Sequence, residues 1–327
     1  MKFLKLLIGH SISFAFIYLL LDKLDLDKLQ NSNHSIHWEY FSLAILINII
    51  SYFIHGLRWN RFYMDQKIDF SHIIKTILIG HMFNTILPSK AGELMRPLFF
   101  HRITKIPYLD ILSTCFIERV FDGLIVLFLL LFSINIFGTN TFITNASLLT
   151  LCLYFSSLVF IIIALRFNKI ISLKLANRSS KIIQTLSNLF TDFISGAKRI
   201  KDIKNLNIIV FYSLLYWILN ILALWSILHT LDLPLELQSI SVAIFIAGSM
   251  GVALSLPSAP ANIGVYHYAI YFIFTFIVER KQDILVDSNL FIMAAVLIHL
   301  GAIIPDLILG GVSYYTYPNT KKDSLLN

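Results

Sequence analysis

Apolar runs recur along the whole chain, separated by short polar stretches. A spanning helix needs about 20 apolar residues. Residues 3–21, 40–57, 111–137, 147–165, 208–230 and 290–313 meet that condition. Two further apolar segments, 71–88 and 239–256, are short and end in Leu-Pro-Ser in place of a charged loop. Proline removes a backbone donor and clashes with the preceding turn, so neither helix continues unchanged past Pro88 or Pro257. Broken backbone at membrane depth persists only where protein or a wet cavity surrounds it. The pattern therefore predicts two helical hairpins, 71–101 and 239–278, each entering and leaving by one side.

The two hairpins read alike. Gly80 and Met82 precede Leu87-Pro88-Ser89, and Gly248 and Met250 precede Leu256-Pro257-Ser258. Paired broken segments in corresponding places of two halves point to a transporter binding site. The expected fold is an all-α polytopic integral membrane protein, with about six full spans and two re-entrant hairpins in an inverted repeat. Residues 1–39 form a retained first helix and outer loop, 40–137 the first repeat, and 208–313 the second. Between them, 138–207 holds a spanning helix and an amphipathic linker, in which Ile182, Ile183, Leu186, Leu189, Phe190, Phe193, Ile194 and Ala197 recur at helical spacing. Its basic flanks suit a helix lying on anionic headgroups, which reads as a structural linker in preference to a substrate site. Residues 314–327 form a polar cytoplasmic tail.

Composition sharpens this picture. Charged residues are 14% of the chain and hydrophobic ones 57%, against roughly 25% charged in soluble proteins. The net charge of +7 reports topology and not nucleic-acid affinity. Residues 166–207 carry nine Lys or Arg against Asp192 and Asp202, whereas 22–39 is mainly acidic. Basic loops stay cytoplasmic, which puts both termini inside and relates the two halves by inversion. Cys115 and Cys152 lie in apolar runs and are expected as buried free thiols.

No metalloprotease, nucleophile-elbow, P-loop or clustered Cys/His pattern occurs. The expectation is a non-enzyme without metal, ATP or other cofactor. The ten histidines are scattered and read as satisfied or interfacial side chains. Charges inside apolar surroundings are more informative, because they are costly there and pair or line a pathway. Glu118 and Asp122 are four apart and share one helical face; Arg119 is their counter-ion or points to Glu93. The first hairpin tip carries Asn84, Lys90, Glu93 and Arg96. A helix restarting at Ala91-Gly92 aims backbone N–H groups at that tip. A phosphate held by Lys90, Arg96 and Arg119 is one reading, and a self-neutralised salt-bridge cluster is the other.

The second tip is nearly uncharged, with Ser255, Ser258 and Asn262 ahead of Tyr266-His267-Tyr268. Asn262 is expected to cap the arm that follows. Asp306, after Pro305, is either a pathway carboxylate or a hydrogen-bonded structural residue, and Glu118 and Asp306 are the candidates for proton coupling. Arg58-Trp59 reads as an interfacial anchor, an aromatic ring beside a snorkelling cation.

From about residue 40 to 313 the chain resembles the membrane-embedded flippase half of bacterial lysyl-phosphatidylglycerol synthases and the stand-alone proteins that share that region. The features that carry the resemblance are Arg58-Trp59, then Asn84, Leu87-Pro88, Gly92-Glu93 and Arg96. Glu118-Arg119 with Asp122 follows, and then Pro257, Pro260 and Ile263-Gly264. The resemblance implies a bacterial inner-membrane protein that moves lipids between leaflets, either aminoacylated phospholipids or polyprenyl-linked sugars. Its partners would be membrane lipids, not nucleic acid. The aminoacyl-transfer domain is absent from the sequence, so synthase activity is not expected. Tyr266-His267 stands where many relatives have a glutamate. Two rival readings are a membrane-embedded enzyme acting on a polyprenyl-phosphate or lipid-linked sugar, and a non-transporting partner of a lipid-modifying enzyme.

Overall fold

The structure, a computed structural model, describes residues 2–24, 35–88, 91–176, 181–202, 206–254, 258–281 and 286–318. These residues form an all-α polytopic membrane protein. The helices are α1 (Lys2–Leu21), α2 (Trp38–Asn60), α3 (Phe70–Ile86), α4 (Gly92–Thr104), α5 (Tyr108–Phe137), α6 (Thr141–Ala176), α7 (Lys181–Asp202), α8 (Leu206–Leu228), α9 (Ile240–Ala253), α10 (Val265–Arg280) and α11 (Ser288–Tyr315). Six helical stretches among the described residues are long and apolar enough to cross a membrane. Five lie on expected spans; the sixth, Pro260–Arg280, falls on the returning arm of the second expected hairpin and is long enough to cross by itself. Helix α1 covers the remaining expected span. The order helix, paired arms, helix recurs as α2, α3–α4, α5 and α8, α9–α10, α11.

The first pair of arms follows from its punctuation. Asp69 starts α3 by accepting from the Ser71 amide at 2.9 Å, which satisfies one of the unpaired N–H groups of a helix start. Leu87 is extended (φ −94°, ψ 145°), as the residue before a proline must be. The α3 helix therefore stops and α4 restarts at Gly92. The arms then close through glycine: a Cβ on Gly92 would overlap the Asn84 amide and the Gly80 carbonyl. Gly92→Ala is expected to force the arms apart and cost about 1–3 kcal/mol, read as a lower unfolding midpoint in detergent.

In the second half, a Cβ on Gly248 would meet the Leu130 backbone nitrogen at 2.7 Å, so α9 runs close against α5, as small residues permit in membranes. The α9–α10 turn includes Ser255 and Pro257, which lie outside the described residues. After them Ala261 and Asn262 have φ +55° and Gly264 has φ +85°, and the amide of Ala259 donates to Ser13 Oγ on α1 at 2.9 Å. Asn262 does not cap the following arm: α10 begins behind Gly264 with no side-chain cap. The left-handed backbone turns Asn262 toward Ser258, whose hydroxyl donates to its Oδ1 at 2.7 Å.

Helix α2 packs along α8, α11 along α3, and both α7 and α9 along α5. One apolar core gathers Leu228, Phe245, Ile246, Phe274, Phe291 and Ile298; a second surrounds Trp59, Tyr63, Ile73, Phe100 and Ile111. Helix α7 is held by protein contacts. Ile194 and Ala197 are buried, Gly196 lies against the Asp110 carbonyl, and Arg199 forks onto Asp110 at 2.9 and 3.1 Å. The side chains of Ile182, Ile183 and Leu186 lie outside the described residues. Helix α6 is peripheral, its apolar side chains turned outward at Leu149, Phe155 and Phe160. Cys152 is exposed there while Cys115 is buried, so only one of the two expected thiols is in the core.

At one end of the bundle the stretch before α2 meets the loop after α8. The Ser35 hydroxyl donates to Asp232 at 2.5 Å and the His37 amide donates to the Thr230 carbonyl at 2.9 Å. The Ser35 bonds, with help from His37, hold the Asp232 carboxyl below the usual carboxylate range. A lowered folded-state value contributes stability above the ordinary value and loses it as the pH falls through the lowered one. Wild type should exceed Asp232→Asn in thermal stability at about pH 6, and the difference should narrow as the pH falls below about 4.

Candidate functional site

The last turns of α2 turn His55, Arg58 and Trp59 inward, α4 contributes Arg96, and α5 contributes Thr114, Glu118 and Asp122 at intervals of four. Glu118 sits at the centre. It accepts from Arg58 Nε at 3.0 Å and from Arg96 Nη2 at 2.6 Å. Asp122 takes the other side of the Arg58 guanidinium, at 2.7 and 3.2 Å, and accepts from Trp217 Nε1 at 3.1 Å. The Arg96 guanidinium lies 3.9 Å over the Trp59 ring, and Trp59 donates to Thr114 at 3.1 Å. Arg58 is 1% and Glu118 2% exposed. Two cations and two carboxylates thus neutralise each other with nearly every donor used, the condition under which buried charges are tolerated.

Two expectations change here. Arg58-Trp59 is not an interfacial anchor: the arginine is the hub between two acids, and the tryptophan is fully buried. The available signal was the Glu118/Asp122 pair itself, since two intramembrane carboxylates on one face demand a cation. Arg96 is not open to a phosphate, because Glu118 and the Trp59 ring occupy its guanidinium.

Arg119 behaves differently. It reaches back across α4 to Glu93 at 2.7 Å, with Asp122 at 3.8 Å, while Asn84 donates to Glu93 at 3.1 Å. Glu93 and Arg96, three apart on α4, both face α5. Almost half of the Arg119 side chain, 46%, is exposed, and it borders a cavity of about 250 Å³. Other walls of that cavity are polar at Asn48, Asp122, Trp217 and Asn220, and apolar at Val126, Leu224, Met250, Leu254 and Ile298. Lys90 lies outside the described residues, and Asn262 bonds to Ser258, outside this cluster.

A family model described as "Lysylphosphatidylglycerol synthase TM region" matches residues 3–310. The chain belongs to this family. It is also 28% identical to the UPF0104 membrane protein MJ1595 of Methanocaldococcus jannaschii, over 76% of the chain and 78% of that protein. A UPF0104 membrane protein of Methanothermobacter thermautotrophicus is 23% identical, over 72% and 74%. No solved structure matches. In this member of the lysylphosphatidylglycerol synthase TM region family, Arg58, Trp59, Asn84, Glu93, Arg96, Glu118, Arg119 and Asp122 converge from four helices on one place.

Asp306 lies beside this cluster and joins it indirectly. Its oxygens accept from Tyr52 at 2.5 Å and from Thr85 at 3.1 Å, and His81 Nδ1 stands 3.7 Å away. His81 in turn meets His55, ring nitrogen to ring nitrogen, at 3.4 Å. These histidines are 26 residues apart, and no local pattern pairs them. Between them and the hairpin tip is a second cavity of about 10 Å³, also bordered by Asn84, Glu93, Arg96 and Arg119. That is about the room one water needs, and Arg96 Nε and Asn84 Oδ1 have no hydrogen-bond partner among the described residues.

Proposed function

We propose that this protein binds the headgroup of an anionic or aminoacylated phospholipid, or of a polyprenyl-linked lipid, and moves that lipid between leaflets. The observation that carries the reading is Arg119, a part-exposed guanidinium bordering a cavity with apolar walls inside a membrane bundle. A guanidinium presents a planar fork suited to phosphate oxygens. Glu93 and Asp122 beside it offer carboxylates to a cationic aminoacyl group, and the family's own description refers to such a lipid. At about 250 Å³ the cavity is smaller than the roughly 300–1,000 Å³ of drug-sized sites, which suits a headgroup while the acyl chains stay in the bilayer.

In this reading the two helix–hairpin–helix units are related by inversion and rock about the site, a recurring transporter design. The basic 166–207 stretch and both termini face the cytoplasm of a plasma membrane. Reconstitution tests the reading. Purified protein in vesicles of phosphatidylglycerol and phosphatidylethanolamine should move fluorescent phosphatidylglycerol to the inner leaflet faster than empty vesicles do, as read by quenching of the outer label. Equal rates across phosphatidylglycerol, lysyl-phosphatidylglycerol and polyprenyl-phosphate probes with and without protein overturn it, and would favour a role as partner of a lipid-modifying enzyme.

A further inference from the structure

The shortest contacts of His55 and His81 share one consistent assignment of hydrogen-bond roles. A guanidinium has only donors, so His55 Nε2, 3.3 Å from Arg96 Nη1, is an acceptor and the neutral ring carries its proton on Nδ1. That Nδ1–H faces His81 Nε2 at 3.4 Å. His81 Nε2 is then an acceptor too, and the His81 proton sits on Nδ1, directed at Asp306 Oδ1 3.7 Å away. Asp306 accepts from Tyr52 and Thr85, so its oxygens are acceptors throughout. The groups form one directional row, Arg96 to His55 to His81 to Asp306. Its other end touches Glu118, whose Oε1 is 3.6 Å from His55 Nε2.

We propose that His55 and His81 are a proton wire between the buried Glu118 cluster and Asp306, and that a proton is the ion coupled to lipid movement. The proposal rests on the lipid-moving reading above and names its driving ion. When Glu118 carries a proton, His55 Nε2 turns to it from Arg96 and takes that proton, leaving the carboxylate. The Nδ1 proton of His55 passes to His81 Nε2, and the Nδ1 proton of His81 passes to Asp306. One proton leaves Glu118 and one arrives on Asp306; both rings are neutral again in the opposite tautomer, and each resets by giving its Nε2 proton to, and taking an Nδ1 proton from, a water in the small cavity that both rings border. Two features bring the wire near the lipid site: Glu93 and Arg119 share the small cavity with both rings, and a phosphate on Arg119 would compete with Glu93 for that guanidinium. The other groups facing the pair are Tyr216 of α8, with its ring 5.4 Å from His55, and Tyr52 of α2, 4.7 Å from His81. Arg58 lies one turn along α2 and is held by Glu118 and Asp122.

The test uses the full chain in the same vesicles, with trace fluorescent phosphatidylglycerol and an imposed gradient of about one pH unit. With one proton per lipid, wild type should drive the probe to about a tenfold leaflet ratio, and collapsing the gradient should return it to about one. His81→Gln, which keeps polarity but cannot relay a proton, should equilibrate the probe without accumulating it, as should His55→Gln. Tenfold accumulation by these variants overturns the wire. A ratio near one in a wild type that moves the probe overturns proton coupling. If wild type moves no probe, the lipid reading fails and the wire is judged separately by NMR of nitrogen-labelled histidine in nanodiscs. Both rings should then carry mainly Nδ1–H in wild type at rest, with each signal shifting when the other ring is replaced; signals that do not respond to replacement of the other ring overturn the wire.

Discussion

Replacing Glu118 by alanine should cost about 3–5 kcal/mol, the usual penalty for breaking a buried ion pair from one side. Glu118 accepts from two arginines. Arg58 retains Asp122, but Arg96 would be left over the Trp59 ring with only the neutral His55 as a hydrogen-bond acceptor. Reversible unfolding in mixed micelles measures the loss. A double change removing Arg96 as well should be milder than the sum of the single ones, because contacting residues couple by 0.5–3 kcal/mol or so. An additive double change would show that the two side chains do not interact, and would remove the centre of the site described here.

Arg119→Gln should have the opposite profile. The arginine is part exposed, and exposed ion pairs contribute only about 0–1 kcal/mol, so the unfolding midpoint should barely move. Phosphate binding should suffer much more, since a hydrogen bond to a charged group is worth about 1.5–3 kcal/mol, or about tenfold to a hundredfold in affinity. Mass spectrometry of lipids retained in mild detergent should find an anionic or glycosylated lipid enriched in wild type and lost from the variant. The movement rate in vesicles should fall by a similar factor. Retention equal to wild type would place the headgroup elsewhere and leave Arg119 as the partner of Glu93 alone. The contrast between the two substitutions separates a structural charge from a binding one, and Arg96 falls on the structural side despite sharing a helical face with Glu93.

Much of this was local and therefore legible. Spanning lengths follow from runs of apolar residues, and helix breaks at Leu87-Pro88 and Gly92 follow from backbone sterics. The shared face of Glu118 and Asp122 follows from helical periodicity. The same local logic failed where a residue's meaning lay in its partner. Arg58 sits near a helix end and looks like an interfacial cation, but its acids are 60 and 64 residues away. Asn262 looks like a cap, but positive φ at Ala261 and Asn262 hands the start of α10 to Gly264. Cys152 lies in an apolar run like Cys115, and only the peripheral position of α6 turns it outward.

The sequence by itself determined that this is a helical membrane protein with two interrupted segments and costly intramembrane charges, because those properties depend on chain neighbours and on the bilayer alone. Tertiary structure decided which charges neutralise which, which guanidinium borders the cavity, and that His55, His81 and Asp306 form a row. Those choices join side chains up to 254 residues apart, and they arise only when packed helices leave a buried polar group no other partner.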